Sequence, residues 1–262
     1  MLFNHGLAYF KPWNFFWTVQ TIALAICIIG ILFHFIFIFK GRQRSLNQTI
    51  NPLAMLKRFF LEVLFQSHLL QSDKKRWLMH FSIFVGFIGL SFLSFLQISN
   101  IVLLDQHFNF ELYAWKGFVG DLFGLLMLVG LLIAFHRRFV QRLPHLRRLA
   151  NDKTAILLLL SIVITGFMLR SLPMALAPLD QSQKSSFFSL ILASLFKVLI
   201  PYISVSLSFW QNVLAVLWIF HSLLTAVFLI YFPFSKFIHI IFTPIELLLN
   251  ASEEDQRRDI YA

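Results

Sequence analysis

A chain of 262 residues that is 58% hydrophobic and 13% charged, with mean hydropathy +0.76, is not a soluble globular domain, which carries about a quarter charged residues. Its single cysteine, Cys27, excludes an intramolecular disulfide and any cysteine-ligated zinc or iron–sulfur site within the chain. The net charge of +10 follows membrane topology rather than nucleic-acid binding, because the basic residues gather in alternate connections.

Five apolar runs are long enough to span a bilayer as helices: Trp13–Phe39, Leu78–Leu104, Phe118–Phe135, Thr154–Leu172 and Trp210–Phe232. The first follows Lys11-Pro12-Trp13 and has no small-residue cleavage site, so no cleavable signal peptide is expected. The connection 40–77 holds eight basic residues and 136–153 holds six, whereas the N-terminus and the connections 105–117 and 173–209 share four. The positive-inside rule then puts the N-terminus outside and the C-terminus in the cytoplasm. Residues 51–70 read as an amphipathic helix on the inner surface. Phe187–Ile200 is apolar but short and interrupted by Lys197 and Pro201, and it reads as a helix lying on the outer surface. The expected fold is an all-α integral membrane protein, a five-helix transmembrane bundle over residues 1–250 with a soluble cytoplasmic tail at 251–262. A prokaryotic cytoplasmic membrane is the expected location.

The fifth run is expected to continue as helix to His239, 18 residues beyond His221. That spacing is about five turns, so both imidazoles would share one face, roughly 27 Å apart. Two histidines at two membrane depths suggest two redox centres, one near each side. An ionisable residue inside a membrane is a functional candidate, although a histidine bonded to a backbone carbonyl is the plain alternative. His80, just inside the second span, matches the depth of His239, and the two could face each other across a haem iron. Gly86 and Gly89 leave room for a macrocycle or serve ordinary helix packing.

His221 has no evident partner. Ten residues on from His80 stands Leu90, His34 has the wrong depth, and His5 and His107 lie outside the spans. His68, His136 and His145 fall in basic connections and read as solvated or lipid-facing. Asp121 could relay a proton from a quinol, or cap an interface. Arg170 could pair with a haem propionate, or snorkel. Gly120 and Gly124 match a small-residue packing pattern.

These residues resemble the cytochrome b membrane subunits of the nitrate reductase gamma family, nearest to the membrane subunits of heterodisulfide reductase and of the sulfite-reduction-associated complex. The resemblance rests on Leu78-Met-His80-Phe-Ser-Ile-Phe-Val-Gly86-Phe, Ala134-Phe-His-Arg137-Arg138 and Thr165-Gly166-Phe-Met-Leu-Arg170. Most specific is Trp218-Ile-Phe-His221, followed by Phe232-Pro233-Phe-Ser235-Lys236-Phe-Ile-His239 and Pro244. It implies b-type haems, with His80 and His239 ligating an inner haem and His221 an outer one. Leu90 departs from the nitrate reductase pattern, which has a second histidine there. The resemblance also implies a cytoplasmic iron–sulfur partner within a larger membrane complex. The expected function is electron transfer between the quinone pool, menaquinol foremost, and that partner, in either direction. Its rivals are a proton-coupled transporter using His221 and Asp121, and a haem-free anchor for a catalytic complex.

Overall fold

The structure is a computed structural model describing residues 12–41, 53, 56–57, 59–103, 112–141, 150–179, 181–203 and 206–246. The expected tail at 251–262, and His5, His107 and His145, lie outside these residues. Regular structure among the described residues is entirely helical. The five expected spans are present as α1 (Trp13–Gly41), α3 (Lys74–Leu103), α4 (Leu112–Phe135), α5 (Ala150–Leu176) and α8 (Leu207–Tyr231). The shortest has 24 residues, about 36 Å of helix against a hydrocarbon core of about 30 Å. The chain is a multi-pass membrane protein.

Short helices fill the connections: α2 (Ser67–Ser72), α6 (Gln181–Lys184) and α7 (Phe188–Leu199). With 12 residues, α7 is about 18 Å long and cannot cross a bilayer. It buries Ser189 and Ala193 while exposing Ile191, Leu195 and Val198. The amphipathic helix expected over 51–70 is not continuous among the described residues. A π-helical turn spans Phe59–Leu64, the backbone of Gln66 is left-handed (φ 50°), and α2 starts afresh at Ser67. The Trp77 indole N–H donates to the Phe65 carbonyl at 2.8 Å and so holds a backbone group released by the break.

The chain forms two compact units. Among the described residues the first comprises 12–16 and those within Met79–Thr225, the second those within Trp17–Leu78 and 226–246. In the first unit glycines let helix backbones meet. A Cβ on Gly86 would stand 2.6 Å from the Met127 backbone nitrogen, and one on Gly130 would stand 2.9 Å from that of Ile83. Those contacts lock α3 to α4. Gly124 admits the Phe167 ring, whose other side meets Phe188 edge-on at 4.8 Å, which ties α4 and α5 to α7. Leu131 and Leu214 are fully buried. In lipid no hydrophobic force drives helices together, so small residues and close packing carry this contact.

The expected uninterrupted helix from His221 to His239 is overturned, and the break lies in the second unit. α8 stops at Tyr231, and 3-10 turns follow at Phe232–Phe234 and Lys236–Ile238. Pro233 has no N–H to give a helix. Ser235 is extended (φ −118°, ψ 179°), its Oγ accepting from the Phe237 N–H at 3.2 Å and donating to the Phe232 carbonyl at 3.0 Å. A helix resumes over residues 239–246. The five-turn phase between His221 and His239 is therefore lost. The Pro233 ring seats on Gly30 of α1, where a Cβ would stand 2.7 Å from both its Cβ and Cγ. Because a ring cannot swing aside, Gly30→Ala is expected to cost about 1–3 kcal/mol, read as a lowered melting temperature in detergent. An unchanged melting temperature would show that the seat is not tight.

Candidate functional site

His221 lies in the middle of α8, half-buried within the first unit. Its Nδ1 is 2.8 Å from Thr165 Oγ1 on α5. The same hydroxyl lies 2.7 Å from the Ser161 carbonyl oxygen and 3.1 Å from that of Ile162. Carbonyls only accept, so the hydroxyl hydrogen goes to them and Oγ1 accepts from His221 Nδ1–H. Nε2 is then the unprotonated nitrogen, the one a metal takes from a neutral imidazole. One turn before His221, Trp218 packs with Trp13 and Phe16, each with ring centroids 5.4 Å away.

His239 opens the helix at 239–246 in the second unit. Its Nδ1–H donates to the Lys236 carbonyl oxygen, which again leaves Nε2 as the lone-pair nitrogen. The bend before it is held from α1, where His34 Nε2–H donates to the Pro233 carbonyl at 2.9 Å. His34, at the wrong depth by sequence to partner His221, thus supports the bend. The residue itself gives no signal of this, because the partner carbonyl exists only where α8 breaks. His80 is half-buried on α3 in the first unit, and its pairing with His239 rests on matched depth in the sequence. His68 and His136 are exposed, as expected.

Asp121 and Arg170 come together. Asp121 is fully buried, its Oδ2 accepting from the Ser189 backbone N–H at 2.9 Å and its Oδ1 from the Ser189 hydroxyl at 2.5 Å. Arg170 Nε stands 3.5 Å from Oδ1, while Nε and Nη2 donate to Ser186 Oγ at 3.2 and 2.8 Å. The carboxylate therefore caps the N-terminus of α7 from a neighbouring helix, where an acceptor and a negative charge are both favoured. The sequence offers one hint of these serines: Ser185-Ser186 stand just before an apolar run. Gly86, expected to leave room for a macrocycle or to serve packing, faces α4, where a Cβ would stand 2.6 Å from the Met127 backbone nitrogen. In the sequence Thr165 stands out only as part of the Arg170 motif, and a hydroxyl in the middle of an apolar run is the available signal. Among the described residues no three His, Cys, Asp or Glu side chains gather as a metal-ion site.

A family model described as the nitrate reductase gamma subunit matches residues 64–253. The chain is 27% identical over 209 residues to a subunit of the dihydromethanophenazine:CoB–CoM heterodisulfide reductase of Methanosarcina thermophila, covering 76% of this chain and 68% of that protein. It is 28% identical over 211 residues to the protein of the same name from Methanosarcina acetivorans, with the same coverage. It is also 24% identical over 206 residues to the EtfAB:quinone oxidoreductase of Syntrophomonas wolfei, covering 75% of this chain and 28% of that protein. No solved structure matches the chain.

Proposed function

Because the chain belongs to the nitrate reductase gamma subunit family, we propose that it carries electrons between the membrane quinone pool and a cytoplasmic iron–sulfur protein through b-type haem. It is a membrane subunit of a redox complex of the heterodisulfide reductase type. The observation that carries the proposal is the shared chemistry of two histidines. His221 and His239 each donate Nδ1–H to an oxygen acceptor, which leaves Nε2 for iron. The names of the relatives, which set dihydromethanophenazine or a quinone against a second redox partner, support the same class of reaction.

Haem, once bound, supplies one-electron chemistry, and the protein supplies its ligands and surroundings. His80 and His239 would hold an inner haem and His221 an outer one, with the N-terminus outside and the C-terminus in the cytoplasm. Leu90, on α3, offers no second ligand for the outer iron. The bonds of Asp121 and Arg170 support an anchoring role for the pair, rather than a proton relay and a propionate contact. With Cys27 as its one cysteine, the chain supplies no cluster, so electrons leave to or arrive from a partner that has one. Menaquinol is the proposed donor.

A reduced-minus-oxidised visible spectrum with a pyridine haemochrome titration of the purified protein tests this. Two b haems per chain are expected. One would leave His80 and His239 as the site and make His221 a candidate quinone-site residue. Protein from its native membrane with no haem would sink the proposal in favour of an anchor or transporter.

A further inference from the structure

Thr165 is a buried hydroxyl in the middle of α5, within Ile162-Val-Ile-Thr165-Gly166-Phe167. Nothing about packing alone asks for an oxygen there. At that depth the hydroxyl must satisfy its hydrogen inside the protein, and its own helix offers the Ser161 carbonyl at 2.7 Å. With that hydrogen committed, Oγ1 faces His221 Nδ1 as an acceptor only. The result is a chain of three groups, in which carbonyl, hydroxyl and imidazole are ordered in one direction. A neutral imidazole has one N–H, so fixing it on Nδ1 decides that Nε2 carries the lone pair. Gly166 brings the α5 backbone beside the ring: a Cβ there would stand 3.5 Å from Cε1, ordinary contact distance.

We infer that Thr165 is the positioning residue for His221, holding it as the Nδ1–H tautomer and presenting Nε2 to iron. This rests on the cytochrome reading above. Thr165 would act through His221, the side chain its hydroxyl meets on α8. An acceptor on Nδ1–H also makes the imidazole a stronger donor, which favours ferric iron and lowers the midpoint potential of the haem it ligates. Removing the acceptor should therefore raise that potential.

Potentiometric titration of the full complex, with haem transfer to apomyoglobin, tests this in Thr165→Val and Thr165→Ser. Valine keeps the side-chain shape and removes the oxygen; serine keeps the oxygen and removes the methyl. Thr165→Val should raise the midpoint of one haem and weaken its retention about 10–100-fold, the range for outer-shell partners of metal-ligating histidines. Thr165→Ser should return both towards the parent protein. A Thr165→Val protein with the parent midpoint and retention would overturn the inference. So would a serine variant as impaired as the valine one, since the methyl and not the hydroxyl would then matter. Parent protein that carries no haem would instead overturn the cytochrome reading itself, and this separates the two failures.

Discussion

Replacing His239 by leucine should remove one haem equivalent from the protein and nearly abolish electron flux through the complex. Leucine cannot ligate iron, so a haem that His80 and His239 would hold together would lose one of its two protein ligands. The expected loss of flux exceeds the about 10–100-fold that outer-shell changes cost at such sites. His80→Leu should give the same loss of haem, because one pair holds one iron. A pyridine haemochrome assay on each variant, with assembly checked by gel filtration, reads the result. Two haems retained in either variant would rule out that pair. The bend before His239 makes a sharper comparison possible. His34→Leu removes the donor to the Pro233 carbonyl but no proposed ligand, so it should lower the melting temperature by the equivalent of about 1–3 kcal/mol and leave the haem count unchanged. A lost haem there would make the bend part of the ligand's support.

Asp121→Ala should destabilise the protein by about 3 kcal/mol, the low end for breaking one side of a buried ion pair. The low end applies because the Arg170 side chain is 29% exposed and water screens what remains of its charge. The carboxylate accepts both Ser189 bonds, so its loss also uncaps α7. Asp121→Asn keeps one acceptor oxygen and should lose less. Thermal unfolding in detergent measures both, and protease cleavage near 177–187 should rise in the same order. A relay would look different: Asp121→Asn would slow quinol oxidation at an unchanged melting temperature, and that result would remove the anchoring role.

Counting turns from His221 to His239 assumes one helix, and Pro233 in Phe232-Pro233-Phe is the visible warning against it. Proline in a membrane helix often only kinks it, because neighbours satisfy the freed carbonyl. Here the break is complete because Gly30 receives the ring, His34 takes the Pro233 carbonyl and Ser235 caps the next turn. Both histidines survive as candidate ligands, but for a different reason from the one that singled them out. Their Nδ1 partners, rather than a shared helical face, recommend them.

The five spans were decided by the sequence alone. A bilayer solvates each segment separately, and a run of about 20 apolar residues closes its own backbone hydrogen bonds without help from the rest of the chain. The family likewise lies in the order of local motifs. Contacts between distant segments were decided only by the tertiary structure. Thr165 meets His221 across 56 residues, Asp121 meets Ser189 across 68, and His34 meets Pro233 across 199. Each is a polar group in an apolar medium that must find a partner inside the protein. The sequence marks the groups that need one, and folding determines which partner is within reach.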